Sequence, residues 1–305
     1  MEFRTKVDIE EPSWRVDIAD RLLFVGSCFA DNIGKRFAEE QFAATINPYG
    51  VMYNPVSVLH TVERLAERGG SYDVAFLTFG TNHIYILKET GEVVDNCQKR
   101  PQRLFDEQQL SVEECAGYMQ QTIEVLRRMN PAVRVVLTVS PIRYAKYGYH
   151  GSQLSKATLL LATEEVCGRA AKYGETNAAK YEETNAAKYG ETNAAKYGGT
   201  NAAKYGETYY FPSYEIVVDE LRDYRFYNED MLHPTRQAVE YLWERIGESL
   251  LTERTLQYLE EYRPIKQALN HRPFNAESAE YKAFRQQTIE KLQHLNNKYK
   301  IQQNK

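Results

Sequence analysis

The stretch that decides the fold is Leu22-Leu23-Phe24-Val25-Gly26-Ser27-Cys28-Phe29-Ala30. Its apolar first half predicts a buried strand that ends at a Gly-Ser step, and we expect a helix to begin near Asp31. A strand-to-helix turn of this kind exposes a side chain above the carboxyl edge of a parallel sheet, where open α/β folds bind ligands. Ser27 therefore stands where a hydrolase places its nucleophile, provided that a base can take its proton.

Such a base is present far downstream, in Asp230-Met231-Leu232-His233-Pro234. A carboxylate three residues before a histidine can hold the imidazole in one tautomer and stabilise its protonated form. The structural alternatives are a small residue in a tight turn for Ser27, and a cap of the following helix for Asp230 and His233. Because the serine turn and the acidic histidine motif occur together, we favour a Ser-His-Asp triad.

Composition narrows the class of protein. The chain has 305 residues, 43% of them hydrophobic, and a formal net charge of -4, which is typical of a globular protein. It has no basic patch interleaved with aromatic residues, so we expect no nucleic-acid partner. The charged N-terminus lacks a secretory apolar core, and no apolar stretch reaches the roughly 20 residues that span a bilayer. We therefore expect a cytoplasmic protein without a membrane partner.

The cysteines and histidines show no metal-binding spacing. No CxxC pair is formed by Cys28, Cys97, Cys115 and Cys167, which favours reduced thiols and argues against structural zinc. No ligand spacing joins His60, His83, His150 and His233. We expect neither a metal nor a cofactor.

Apolar runs alternate with amphipathic segments along the chain. The strands are predicted at Leu22–Val25, Val74–Phe79, Val133–Val139 and Tyr209–Pro212, with a hairpin of Ile84–Leu87 and Glu92–Val94; the helices are predicted at Val56–Arg68, Ser111–Met129, Leu154–Cys167 and Pro234–Leu250. The alternation is typical of an α/β layered domain with right-handed crossovers. We expect this domain to occupy residues 1–250. Residues 251–305 are charged and helix-like, and predict a helical extension that docks on the main domain or joins two copies of the chain.

An octad, Ala-Ala-Lys-Tyr-Gly-Glu-Thr-Asn, is repeated within residues 170–209, in copies that start at Ala170, Ala178, Ala186, Ala194 and Ala202. In a helix, each copy would be rotated by about 80° around the helix axis relative to the previous copy, so the copies would share no common face. Each glycine would also cost about 1 kcal/mol. We interpret the array as an expanded surface connection inserted between a helix and a strand. A functional binding array is the alternative.

Two further blocks have the chemistry of an oxyanion site. In the turn-rich block Asn47–Pro55, Gly50 lets the backbone approach a substrate and offer its N–H. In Phe79-Gly80-Thr81-Asn82-His83, directly after a predicted strand, the Asn82 amide is a candidate oxyanion donor. An asparagine in a loop also commonly satisfies local backbone groups, which is the structural alternative.

Together these blocks strongly resemble the GSCFA family, which is named for the string Gly26–Ala30, and which looks like a branch of the SGNH/GDSL hydrolase superfamily. The resemblance covers roughly residues 20–250. It also rests on four further stretches: Gly91–Cys97, Ser140–Arg143, Gln153–Ala157 and Tyr210–Glu215. It implies a flavodoxin-like, three-layer α/β/α sandwich with a parallel sheet.

The resemblance also implies ester hydrolysis. Ser27 would be the nucleophile, His233 the base and Asp230 the acid that orients it. The oxyanion donors would be the N–H groups of Ser27 and Gly50 and the side chain of Asn82, with Asn96 as the rival of Asn82. The residues expected near the substrate pocket are Asn47, Asn54, His83 and Asn96.

The expected substrate is a small acyl ester, and an O-acetylated carbohydrate is suggested by superfamily analogy alone. Three alternatives stay open. The same triad would serve an acyltransferase, the fold would serve a catalytically silent binding module, or the Cys28 thiol would attack in place of Ser27.

Overall fold

The computed structural model describes residues 4–95, 100–168 and 208–301. The strands in this part of the chain are β1 (Arg21–Gly26), β2 (Ala43–Ile46), β3 (Val74–Phe79), β4 (His83–Leu87), β5 (Phe105–Gln109), β6 (Arg134–Val139) and β7 (Thr208–Tyr210). The helices are α1 (Cys28–Glu39), α2 (Pro55–Glu67), α3 (Val112–Met129), α4 (Gly148–Cys167), α5 (Arg236–Leu250), α6 (Glu253–Leu269) and α7 (Ala279–Tyr299). Short helical turns lie between them at Gln102–Leu104, Ala145–Tyr147, Ser213–Glu215, Ile216–Glu220 and Tyr224–Phe226.

Five strands form one parallel sheet in the order β2-β1-β3-β6-β7. Counted within this sheet the order is 2-1-3-4-5, a common doubly wound arrangement. The chain reverses its direction of progress between β1 and β3, and such a switch point opens a crevice at the carboxyl ends of the two strands. The predicted α/β class with a parallel sheet is confirmed.

Both faces of the sheet are covered by helices, as the continuous apolar runs in the strands require. Along β1, Leu23 and Val25 pack with residues of α2, α3 and α4, whereas Leu22 and Phe24 pack with residues of α1, α5, α6 and α7. The pleat of one strand thus divides the interior into two apolar layers. This arrangement is the predicted three-layer sandwich.

Capping residues explain where the helices begin. Asn54 caps α2 ahead of Pro55, and Ser111 forms a capping box with Glu114 at the start of α3. The predicted helices at Val56–Arg68 and Ser111–Met129 are confirmed to within a residue at each end.

The predicted hairpin after β3 is wrong in its second strand. β4 pairs antiparallel with β5, while the predicted partner Glu92–Val94 contributes only the bridge between Ile86 and Val93. The reason is that β5 reads Phe-Asp-Glu-Gln-Gln and exposes its last four residues, so it has no apolar alternation that would reveal a strand. The edge strand β2 was also missed.

The C-terminal helices pack against the layer that contains α1 and α5. Tyr258 of α6 is fully buried, with its ring centre 5.7 Å from that of Tyr262 and 5.2 Å from that of Tyr299 in α7. The helical extension therefore shares an apolar core with the sheet domain. The octad array falls outside the described residues up to Glu207. None of the described helices is both long and apolar enough to cross a bilayer.

Candidate active site

Ser27 lies directly after β1 and caps α1, which begins at Cys28 and thus earlier than predicted. Gly26 before it has φ +150°, and a Cβ there would lie 2.2 Å from the Thr78 carbonyl oxygen, so only glycine fits. The Ser27 side chain is almost fully buried, at 1% exposure. Its Oγ accepts a hydrogen bond from Phe29 N at 3.2 Å and donates one to Ser140 Oγ at 3.0 Å.

The end of β3 forms the wall beside Ser27. A Cβ placed on Gly80 would lie 3.7 Å from the Ser27 Cβ and 3.3 Å from the Tyr53 carbonyl oxygen. That carbonyl accepts hydrogen bonds from the N–H groups of Gly80 and Thr81 at 2.8 and 2.9 Å. The carboxyl ends of β1 and β3, joined by the loop before α2, therefore place the Gly80 backbone against Ser27 at the switch point of the sheet.

Asp230 and His233 form a hydrogen-bonded pair. Asp230 Oδ2 lies 2.6 Å from His233 Nδ1, and Asp230 Oδ1 accepts the N–H groups of Leu232 and His233 at 2.9 and 3.0 Å. The two backbone N–H groups, followed by the imidazole, lower the pKa of Asp230 to about 2. The N-cap of α5 is Thr235, so Asp230 does not cap that helix. The carboxylate orients the imidazole and leaves His233 Nε2 as the group that can accept a proton.

One loop connects the serine to the histidine. Ser140, the partner of Ser27, follows β6, and three residues later Arg143 donates its N–H to Leu232 O at 3.2 Å and an Nη1 hydrogen to Met231 O at 3.2 Å. Among the described residues, Ser27 Oγ hydrogen bonds with Ser140 and Phe29 and not with His233. The structure therefore brings the two halves of the predicted triad to the same loop, without a direct bond between them.

Two of the three predicted oxyanion donors, Gly50 and Asn82, have other partners in this conformation. Gly50, at φ +92°, donates its N–H to Asn47 O at 2.8 Å. Asn82 Nδ2 donates to Leu110 O at 2.7 Å, while its Oδ1 is buried without a partner among the described residues. Asn96, the rival of Asn82, lies outside the described residues. The oxyanion roles of Gly50 and Asn82 stay predictions.

The other predicted pocket residues support the backbone around the site. Asn47 Oδ1 accepts Gly26 N at 2.8 Å, which holds the turn before Ser27, and Asn54 Oδ1 accepts Ser57 N at the start of α2. His83 is buried, stacks on the Tyr147 ring at 3.6 Å and lies 2.8 Å from Glu107. Burial lowers the pKa of His83, against the opposing effect of the Glu107 carboxylate.

Sequence reasoning missed Lys156 of α4. Its side chain is buried, and its Nζ donates to the Gly80 carbonyl oxygen at 2.6 Å. Burial without a countercharge lowers the pKa of this amine to about 7. The preceding Ser155 accepts the Asn82 N–H at 2.9 Å, so two adjacent residues of one helix hold the loop beside Ser27. A lysine in an amphipathic helix is normally a solvated residue, and only its place in the Gln153–Ala157 block marks it as unusual.

Tyrosines surround the same edge of the sheet. The Cys28 thiol lies 3.7 Å from the Tyr53 hydroxyl, and the Tyr53 ring is followed by Tyr144 and then Tyr147 at centre-to-centre distances of 6.3 and 5.3 Å. Burial and the neighbouring Cys28 raise the pKa of the Tyr53 hydroxyl, so it stays protonated at neutral pH.

Comparison with known protein families identifies the family of the chain. A model described as the GSCFA family matches residues 21–71, 70–181 and 195–246, and a model described as the GSCFA domain protein, C-terminal domain, matches residues 263–303. The chain belongs to the GSCFA family. The matched segments of the GSCFA model contain Ser27, Gly80, Ser140, Lys156, Asp230 and His233.

Comparison with solved structures finds several similar chains, including the following two. One is a carbohydrate esterase family 3 protein from Talaromyces cellulolyticus, with a TM-score of 0.37 and 8% identity, covering 79% of this GSCFA chain and 98% of that chain. The other is an acetyl esterase mutant with acetate ion, with a TM-score of 0.39 and 9% identity, and the same coverage of 79% and 98%. No curated protein matches the chain.

Proposed function

We propose that this GSCFA protein is a serine esterase of the SGNH/GDSL type that acts on a small acyl ester, with an O-acetylated carbohydrate as the substrate class. Ser27 is the nucleophile, His233 the general base and Asp230 the residue that orients and stabilises the imidazole. The observation that carries the proposal is the 2.6 Å Asp230–His233 pair on a segment tied to the loop that binds Ser27.

The proposed reaction begins when the Ser27 hydroxyl turns from Ser140 towards His233 Nε2. Ser27 Oγ then attacks the ester carbonyl while His233 takes its proton, and Asp230 stabilises the imidazolium. Collapse of the tetrahedral intermediate breaks the ester C–O bond, and His233 returns the proton to the leaving alcohol. Water, deprotonated by His233, then hydrolyses the acyl-enzyme and restores the Ser27 hydroxyl.

Helix α1 supports the negative charge that develops in this reaction. Ser27 is its N-cap, and the first turn directs backbone N–H groups and the positive end of the helix dipole towards the reacting centre. Donors of this kind typically contribute about 10²–10³ in rate. The Ser27 and Gly50 N–H groups are the proposed members of the oxyanion site.

Hydrolysis of p-nitrophenyl acetate and release of acetate from acetylated sugars test this function. The wild-type protein is compared with Ser27→Ala, His233→Ala and the matched neighbour variant Cys28→Ala. We expect turnover by the wild type and Cys28→Ala, and a loss of at least about 10³ in kcat for the other two. Full activity of purified Ser27→Ala would refute the mechanism, and loss of activity only in Cys28→Ala would make the thiol the nucleophile.

A further inference from the structure

Arg143 is surrounded by tyrosine rings. Its guanidinium carbon lies 4.2 Å from the ring centre of Tyr149, 5.7 Å from that of Tyr227 and 6.0 Å from that of Tyr224. The guanidinium makes one hydrogen bond within the described ranges, from Nη1 to Met231 O, and no carboxylate of those ranges pairs with it. Guanidinium groups have five N–H donors, so most of this donor capacity is left for a ligand.

The rings around Arg143 are open to solvent. Tyr149 is 53% exposed and Tyr224 is 65% exposed, while Tyr227 is half-buried. Burial raises the pKa of the Tyr227 hydroxyl against the opposing effect of the Arg143 charge, so the ring stays neutral. A cation flanked by exposed aromatic faces has lost part of its hydration, which strengthens its attraction for an anion compared with a cation in bulk water.

This arginine cluster, Arg143 with Tyr149, Tyr224 and Tyr227, lies beside the proposed active site. The Arg143 N–H bonds to the carbonyl of Leu232, the residue directly before His233. Ser140, which binds Ser27, lies three residues before Arg143 in the chain. A ligand group held at the cluster would therefore lie on the loop that contacts both Ser27 and the segment of His233.

We propose that the arginine cluster binds the carboxylate-bearing sugar of an acidic saccharide ester. Arginine pairs with carboxylates through two parallel hydrogen bonds, and its plane stacks on aromatic rings at the same time. The exposed tyrosine faces offer apolar area to the C–H face of a pyranose ring, while their hydroxyls stay in water. The proposal names the substrate class and so rests on the proposed function, but ligand binding at the cluster is measured without turnover.

A neutral sugar is a weaker candidate because it leaves the guanidinium charge uncompensated. A simple carboxylate without a ring would use Arg143 but not the tyrosines. Three probes separate these cases: glucuronate has both features, glucose has only the ring, and acetate has only the carboxylate.

Binding of the three probes is measured by NMR titration of the full-length wild-type protein, with resonances of the cluster followed. We expect glucuronate to bind at least about tenfold more tightly than glucose or acetate. Arg143→Gln should remove this preference, and the Tyr149→Ala, Tyr224→Ala double variant should weaken glucuronate to the level of acetate. Arg225→Gln is the matched control, because Arg225 is an exposed arginine of the same surface that pairs with Asp223. It should bind glucuronate like the wild type.

Equal binding of glucuronate and glucose by the wild type would overturn the proposal, as would an unchanged preference in Arg143→Gln. Because Arg143 also holds Met231, its variant is checked by thermal unfolding, and the two exposed tyrosines give an independent test if it fails to fold. Glucuronate binding that persists in a protein whose Ser27 proves unreactive would keep the subsite and refute only the esterase function.

Discussion

The Oγ atoms of Ser27 and Ser140 lie 3.0 Å apart, and the Ser27 hydroxyl donates in this hydrogen bond. Its proton is therefore directed at a neighbouring serine and is not shared with the imidazole that is proposed to take it. In this conformation the buried Ser27 hydroxyl has a hydrogen-bond partner, and the proposed attack requires that it exchange Ser140 for His233.

Replacement of Ser140 by alanine tests whether Ser140 is only a hydrogen-bond partner of Ser27 or also its base. We expect Ser140→Ala to lower the free energy of unfolding by about 1–3 kcal/mol, because a buried hydroxyl and the Ile142 N–H lose their partner. Urea denaturation measures this change. Ser27 should still react with a fluorophosphonate, since Ser140 does not accept the proton during attack. Complete loss of labelling in a folded Ser140→Ala protein would show that Ser140 itself activates the nucleophile.

Replacement of Asp230 by asparagine keeps an oxygen for the Leu232 and His233 N–H groups but removes the negative charge. We expect the labelling rate of Ser27 to fall by about 10²–10⁴, because the imidazolium loses its stabilising anion and its tautomer is no longer fixed. Asp223→Asn, in the same surface segment, is the control and should leave the rate unchanged. A rate equal to that of the wild type would exclude Asp230 from the triad.

The same carboxylate predicts a titration at low pH. Its pKa is lowered to about 2 from the ordinary 3.8 by hydrogen bonds from two backbone N–H groups and from His233. A depressed pKa means that its contribution to stability is present above pH 3.8 and is lost as the pH falls towards 2. NMR titration of the Asp230 carboxyl carbon, assigned with Asp230→Asn, should give a midpoint near 2. A midpoint at or above 3.8 would contradict the hydrogen-bonded pair.

Lys156 predicts a second pH dependence of stability, in a higher pH window than that of Asp230. Because burial lowers its pKa from 10.5 to about 7, the unfolded chain binds more protons than the folded one between these values. Stability therefore rises with pH across that window. Relative to the unfolding free energy of Lys156→Met, that of the wild type should increase from about pH 7 to pH 10. Leu159→Met, a buried change in the same helix without a titratable group, should show no such trend. If the unfolding free energies of the wild type and Lys156→Met changed with pH in parallel, the lowered pKa of the Lys156 amine would be refuted.

The octad array predicts tolerance to shortening. Deletion of Ala178–Asn201 removes three whole copies and leaves α4 and β7 intact on either side. A shorter connection changes the loop-closure free energy only slightly, so we expect the same unfolding midpoint to within a few degrees and the same labelling of Ser27. Loss of folding or labelling would show that the array has a structural or functional role.

Much of the sheet, the turn at Ser27 and the Asp230–His233 hydrogen bond are predictable because their signals are local. The continuous apolar run Val74–Phe79 and the Gly26-Ser27 step identify strands and the turn without knowledge of the rest of the chain. By contrast, β5 is polar and exposed, and forms a strand only because β4 lies beside it. No local sequence pattern predicts such a strand.

The environment of Ser27 depends on contacts between residues that are far apart in sequence. Ser140 reaches Ser27, and Lys156 reaches Gly80, because the parallel register aligns the ends of β1, β3 and β6. The residue type of Asn82 predicted a hydrogen-bond donor after β3 but not the partner of that donor. The Asn82 amide donates to the Leu110 carbonyl oxygen, which is placed there by the pairing of β4 with β5. The arginine cluster likewise exists only once the segment around His233 lies against the loop after β6.

The central claim is that Ser27 is a nucleophile activated by His233, and fluorophosphonate labelling with intact mass and peptide mapping tests it most directly. The account predicts one adduct on the wild-type protein, located on Ser27, that is absent from both Ser27→Ala and a folded His233→Ala. No adduct on the folded wild type, an adduct on another residue, or undiminished Ser27 labelling in His233→Ala would contradict it.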